Sequence, residues 1–364
     1  MMNALRKFID RRLGRGEAAI TVPNLDGPLL PNQRLEEADV FAALDAADNL
    51  IATEKGLVAS SGTRLLRYDW AGGDPDLLCE FPQEITAIAA AKGMLAIGLD
   101  GGGVVLHGGS HDGRRFESAA GTAFICPTAL AFLDAKTLLL TLGSIHNPAS
   151  AWRRDLMEKR SGGSLWKIDI DSGEAVCVTE GLAWAGGVAT TGSLRVYVTE
   201  SWKHRILAVD LNTGAREVVH DHLAAYPARI SPAFDAGYWL GFYSVRNQLV
   251  EFILNEDVYR SRMLAEVPEP YWMAPALSSG QSFREPMQGS QLKQMGVLKP
   301  FAATRSYGLV VRCDKAMVPL ESFHSRADGT AHGTVSACER GDDVFVASRG
   351  GHRILRLKGV INGH

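Results

Sequence analysis

The stretch Ser193–Leu211, SLRVYVTESWKHRILAVDL, constrains the fold more than any other, because its pattern recurs along the chain. Leu194–Glu200 alternates large apolar with polar residues, Ser201–His204 breaks the alternation, and Arg205–Leu211 resumes it. That pattern marks a half-buried hairpin. Copies of its first strand are Leu50–Glu54, Met94–Leu99, Thr137–Leu142, Tyr238–Tyr243 and Val344–Ser348. Copies of its second are Arg64–Asp69, Val104–His107, Ser164–Asp169, Leu309–Asp314 and Ile354–Leu357. The order is constant, and outside two insertions the period is roughly 40 to 45 residues, that of a four-stranded propeller blade. The chain is therefore predicted to be an all-β, six-bladed β-propeller with four-stranded blades. Radial closure makes one packed unit of 364 residues that length alone would divide into two or three.

Residues 1–16 read as a basic leader, and residues 17–364 as the propeller. Within the leader, a short amphipathic helix over residues 3–14 would set Leu5, Phe8, Ile9 and Leu13 on one side, against the ring. Ala18–Val22 is expected to be the N-terminal strand that closes the last blade, and Leu35–Ala43 the innermost strand of the first. The other innermost strands are Ile85–Ala90, Pro127–Phe132, Gly186–Thr190, Ala228–Ala233 and Gly333–Cys338, lining a central channel. The third blade is interrupted at 146–162 by a polar, helical insertion carrying Trp152, Arg153 and Arg154. A long insertion in blade five, residues 255–306, begins with a helix that Asn255 can cap. Its Tyr271, Trp272, Met273 and Phe283 are apolar enough either to cover the channel mouth or to pack the insertion on the outside of the ring.

A net charge of −3 and a pI near 6.4 leave no basic footprint for nucleic acid, so the expected partner is a small molecule or another protein. The five cysteines are scattered singly, which suits isolated thiols better than disulfides or a zinc site. No run is long enough to span a bilayer and the N-terminus lacks a signal-peptide core, so a cytoplasmic protein with no membrane span is expected.

Two regions carry a family resemblance. Gly187–Leu211 with Tyr226–Ser244, and Tyr307–Asp314 with Glu321–Leu357, resemble strictosidine synthase-like proteins, members of the SMP-30/gluconolactonase-like superfamily of six-bladed propellers. The resemblance covers most of the chain and is strongest after about residue 120. It implies the propeller fold, but its members include hydrolases and a C–C bond-forming synthase. Lactonases of the superfamily hold calcium at the ring centre with a glutamate from the first inner strand and asparagine or aspartate from later ones. The resemblance sets Glu37, with Glu36 beside it, at the first of these positions, and Thr128, Gly186 and Ala228–Arg229 at the later ones. None of the later residues is a carboxylate or side-chain amide, and Arg229 repels a cation, so no calcium or other cofactor is expected. Strictosidine synthase uses a glutamate near the start of the sixth inner strand. Here Ala331–Val335 holds no acid and offers His332.

The polar residues expected on the channel floor are Glu36 or Glu37, Glu84, Thr128, Arg229 and His332. They suggest a metal-independent hydrolase of a small polar, sugar-derived ester or lactone. His332 would activate water, Glu37 would orient it, and Arg229 would stabilise the oxyanion. Glu36, Glu84, Thr128, Trp152, Tyr243, Tyr271 and Trp272 are the candidate substrate contacts. Each catalytic candidate also has a structural reading: His332 can satisfy turn backbone, Arg229 can pair with Glu37 or Glu84, and only one of Glu36 and Glu37 can face the channel. Two other functions remain open, a non-catalytic binding propeller and a strictosidine synthase-like condensing enzyme. Glu200 and Ser201 are expected to end a strand and bond its turn. No G-x-S-x-G elbow supports His324-Ser325 as a nucleophile site, and Gly98–Gly103 reads as a blade turn.

Overall fold

The computed structural model describes residues 21–280, 282, 284–286 and 304–361, with the backbone of 293–294 and 297–298. Six four-stranded antiparallel sheets follow one another around a ring. Their innermost strands are Ala47–Thr53, Ile85–Ala91, Pro127–Phe132, Ala185–Thr190, Ala225–Pro232 and Ser336–Arg340. Each packs against the next and the sixth returns to the first, so the channel is closed all round. Apolar faces meet between blades. Leu130, Leu138 and Trp166 of blade three pack on Ala87, Val104 and Phe116 of blade two, and Ile206 and Tyr197 of blade four pack on Leu240 and Phe242 of blade five. A blade alone would leave both of these faces wet, which is why the repeat forms a ring.

The ring is closed by an N-terminal strand, Asp39–Ala43, as the outermost strand of blade six. It runs antiparallel to Arg353–Leu357, pairing Asp39 with Arg356 and Ala43 with Arg353. Phe41 stands edge-on to Phe345 at 5.0 Å and to Tyr68 at 5.8 Å, so the strand is held by blade six and blade one together. This corrects two expectations. Of Ala18–Val22, residues 18–20 lie outside the described residues and 21–22 are in no strand. Leu35–Ala43 does not line the channel, because the innermost strand of blade one is Ala47–Thr53 and its second strand is Gly56–Ser61. Every residue of Gly56–Ser61 is buried, as in the other second strands, but its sequence GLVASS is mostly small residues and lacks the bulky apolar pattern that marks the others.

Both insertions join the second strand of a blade to its third, at 143–162 in blade three and 246–308 in blade five, and so emerge on one face of the ring. The first contains the expected helix, Trp152–Glu158. The second opens with helix Gln248–Asn255, capped by Asn247, whose side chain accepts from Leu249 N at 2.8 Å. Asn255 ends this helix rather than capping the next, Asp257–Glu266. Trp272 is 1% exposed, donates from Nε1 to Val267 O at 2.7 Å, and packs with Leu156, Tyr226 and Ile253, tying the insertion to its neighbours. Phe283 and the leader helix over 3–14 lie outside the described residues. Among the described residues no helix is long and apolar enough to cross a membrane.

Three histidines, His204, His324 and His332, are buried with pKa values below the ordinary 6.5, in each case chiefly through burial. His324 is lowered to about 4, its Nε2 meeting Ser322 Oγ at 2.9 Å and its Nδ1 meeting the Tyr307 hydroxyl at 3.2 Å. Since the unfolded chain binds the proton more tightly, this stability is complete above pH 6.5 and is lost as pH falls toward 4. For His324 alone the loss is on the order of 3 kcal/mol. Urea midpoints are expected to fall between pH 7 and pH 4.5, with a shallower fall in His324→Gln. An identical slope in that variant would refute the assignment.

Candidate functional site at the ring centre

Five of the six innermost strands break register near their first residues: between Asp48 and Ile51, Ile85 and Ala87, Pro127 and Ala129, Ala185 and Gly187, and Pro227 and Ile230. A bulge frees residues from the ladder and re-aims them. Asp48 with Asn49, Thr86, Thr128, Gly186 and Ala228 with Arg229 therefore form one tier around the channel. Blade six reaches this level with Thr334 and Val335, whose carbonyls accept from Phe242 N at 3.0 Å and Arg229 N at 3.4 Å.

The centre of this tier is ionic. Asp48, 3% exposed, accepts from Arg229 Nη1 at 2.5 Å and Nη2 at 3.3 Å, and from Arg349 Nη1 at 3.2 Å. Arg229 Nη2 also donates to Thr86 O at 2.7 Å. Arg349 Nη2 lies 3.5 Å from Glu84 Oε2, and the Glu84 side chain is 49% exposed. The result is an alternating chain, Glu84, Arg349, Asp48, Arg229, running from the wet mouth to the interior and drawing on four blades. Around it, Asn49 Oδ1, Thr86 Oγ1, Ser201 Oγ and Arg229 Nε are buried without a partner among the described residues. Gly186 makes room for one of these, since a Cβ there would lie 2.5 Å from Ser201 Oγ.

An aromatic group roofs the centre. Trp152 stacks on Tyr243 at 5.1 Å, Trp184 Nε1 donates to the Tyr243 hydroxyl at 3.1 Å, and Trp184 stacks on Trp202 at 5.1 Å. Burial pushes the Tyr243 phenol pKa up, with the Arg229 charge opposing. Leu277 of the long insertion packs on the same group. The carbonyl of Leu277 sits over Gly350 so closely that a Cβ there would be 1.8 Å away. Both insertions thus converge on the mouth.

The structure brings together Arg229, Glu84, Thr128, Trp152 and Tyr243 of the residues expected from sequence. Thr128 Oγ1 is engaged by Ala185 O at 2.5 Å and by Thr141, which makes it a link between blades. Glu37 is exposed on the bend before the closing strand, because the segment assigned to the channel belongs to the outer edge of blade six. Glu36 accepts from Thr330 N at 2.9 Å and Ala331 N at 2.8 Å, pinning the connection between blades five and six. His332 meets Ser306 Oγ through Nδ1 and Arg326 O through Nε2, each at 2.7 Å, and its ring lies beside Tyr307. With Nε2–H donating to the carbonyl and Nδ1 against Ser306 Oγ, which also meets Ser279 Oγ at 2.7 Å, the imidazole anchors the return of the long insertion. Trp272 and Tyr271 sit in the packing of that insertion and the turn before it. Glu200 is structural as expected, accepting from Ala183 N at 2.9 Å and Arg205 Nε at 2.6 Å.

Asp48, Asn49, Ser201 and Arg349 escaped assignment to the channel. The signal for Asp48 was present, since with Gly56–Ser61 taken as the second strand it occupies the position given to Glu37. Calcium takes roughly six to eight oxygen ligands. Asp48 is the one carboxylate of the tier, and two guanidinium groups hold its oxygens. Among the described residues no three His, Cys, Asp or Glu side chains converge on a common point. The donors present do not fit a calcium site.

Fold and site together define a six-bladed propeller with a guanidinium–carboxylate centre. No family model matches the chain, and no curated protein sequence matches it. Among solved structures it is similar to a structure assigned as a gluconolactonase, with TM-score 0.56, 10% identity, and 88% of this chain and 91% of that one covered. It is similar to the luciferin-regenerating enzyme at TM-score 0.54 and 11% identity, covering 88% and 94%. It is also similar to regucalcin, a calcium-binding protein of Agrobacterium tumefaciens, at TM-score 0.50 and 10% identity, covering 85% and 84%. These likenesses show the fold.

Proposed function

We propose that the protein is a hydrolase of a small polar ester or lactone, acting at the channel mouth with guanidinium groups in place of a bound cation. The observation that carries this reading is the chain Glu84, Arg349, Asp48, Arg229 beneath an aromatic roof. Glu84, half exposed and beside Arg349, is the general base: it takes a proton from water as the water oxygen bonds to the acyl carbon. The oxyanion accepts hydrogen bonds from Arg349 and from the unpartnered Arg229 Nε–H. Collapse breaks the acyl C–O bond, and the departing alkoxide recovers the proton from Glu84. Asp48 fixes both arginines and takes no part in proton transfer. His332 is a positioning residue for the insertion.

The test is a panel of sugar lactones and simple esters, run on metal-stripped protein and again with added calcium. Turnover is expected to survive chelation and to fall about 10²- to 10⁴-fold in Glu84→Gln. His332→Ala should lose much less at the same folded fraction. Turnover that requires calcium, or a Glu84→Gln enzyme at full rate, overturns the proposal. Binding of panel members without turnover in any condition would leave a non-catalytic propeller.

A further inference from the structure

Helix Gln248–Asn255 is apolar nearly all round. Val250, Ile253 and Leu254 are buried with Leu156, Tyr226 and Trp272, whereas Leu249 and Phe252, three residues apart and turned away from that cluster, are exposed, Phe252 at 45%. The next helix, Asp257–Glu266, buries Met263 in the same cluster and exposes Val258, at 78%, and Tyr259 in its first turn. A helix that is apolar on both sides is built to be covered on both. Four large apolar side chains exposed within Leu249–Tyr259 also exceed the scattered singles of an ordinary surface.

The path of the chain points to what covers them. The described residues begin at Thr21, and Thr21–Pro23 line one cavity with Leu254 and Asn255, at the end of helix Gln248–Asn255. Residues 3–14 lie outside the described residues and are joined to Thr21 through residues 15–20, a tether of up to about 20 Å. The helix is about 12 Å long, so its whole exposed side is within reach. In residues 3–14, Leu5, Phe8, Ile9 and Leu13 fall at i, i+3, i+4 and i+8, one apolar stripe with Lys7, Asp10 and Arg11 on the other side. Arg12 falls inside the stripe and can carry its charge outward on its long stem. Around the exposed ridge Asp257 pairs with Arg260 at 2.9 Å and Glu266 with Arg262 at 3.3 Å, a mixed fringe that is no footprint for an anionic membrane.

We infer that residues 3–14 dock as a helix on the ridge of Leu249, Phe252, Val258 and Tyr259, and so strap the first two helices of the long insertion to the body of the chain. The strap is anchored beyond Thr21–Pro23 on blade five, where Ser322 Oγ donates to Pro28 O at 2.7 Å and Asn32 Nδ2 donates to Ser322 O at 2.9 Å. Its occupant is a segment of the same chain, and the inference is independent of the chemistry at the channel.

The test is hydrogen exchange followed by mass spectrometry on the full chain. In wild type, amides of residues 7–14 are expected to be protected. In Phe8→Ser with Ile9→Ser, amides of Asp257–Glu266 should exchange about tenfold faster, and in Phe252→Ser with Val258→Ser the same should hold for residues 7–14. Amides of the innermost strand Ile85–Ala91 should keep their wild-type rates in both variants, which controls for folding, and the first variant decides the matter if the second fails to fold. Unprotected residues 7–14 in wild type, or wild-type exchange of Asp257–Glu266 in the first variant, would overturn the inference. Protection that fades on dilution would give the ridge to a second copy, and protection that appears only with phosphatidylcholine–phosphatidylserine vesicles would give it to a membrane; either result overturns it too.

Discussion

Asp48→Ala is expected to lower the stability of the folded protein by about 3–5 kcal/mol, the cost of stranding a buried ionic partner. Asp48 takes hydrogen bonds from two arginines, and Arg229 is mostly buried. Without the carboxylate the two guanidinium groups face each other, and Glu84, half in solvent, offsets only one of them. A urea midpoint shift at unchanged m-value is the readout. The pair Asp48→Leu with Arg229→Met should recover most of the loss, because an apolar pair of similar volume carries no desolvation penalty. A single alanine variant within about 0.5 kcal/mol of wild type would mean that water already reaches the centre.

The second large effect falls on rate. Arg229→Met alone is expected to cut turnover of any ester or lactone the wild type cleaves by about 10²- to 10³-fold, the scale for loss of an oxyanion donor. Stability should suffer less than in Asp48→Ala, since Asp48 keeps Arg349. The loss should appear in kcat rather than KM if Arg229 Nε acts on the transition state. Arg229→Lys should not rescue, because an ammonium cannot span both Asp48 oxygens and Thr86 O as the planar fork does. A loss of only a few-fold would assign Arg229 to structure.

The fold was legible because blades two to six repeat hairpins rich in bulky apolar residues, as in Arg195–Glu200 and Arg205–Asp210, whose central residues are buried on both faces. Blade one was misread by one strand, since Gly56–Ser61, GLVASS, is built mostly of small residues and lacks the bulky apolar run of the other second strands. That slip carried the first-blade acid from Asp48 to Glu37. Thr128, Gly186 and Arg229 lie in one tier in the structure, at bulges that fall near the same point of their strands. His332 was not resolvable in the same way. Its neighbours Ser306 and Arg326 come from an insertion and a connection outside the repeat, so no periodicity predicts which way the ring turns.

The closing strand also sets an order of events. Phe41 precedes all six innermost strands in the chain, whereas Phe345 and Arg353–Leu357, against which it packs and pairs, belong to blade six. Blades one to five can form from local hairpins as the chain emerges, but the latch must wait for blade six. This is a contact of very high sequence separation, the kind that slows folding. Until then Phe41 and the open flank of blade one are exposed apolar surface. A nascent or truncated chain therefore offers an unpaired sheet edge to a second copy, and domain-swapped closure is its natural misassembly.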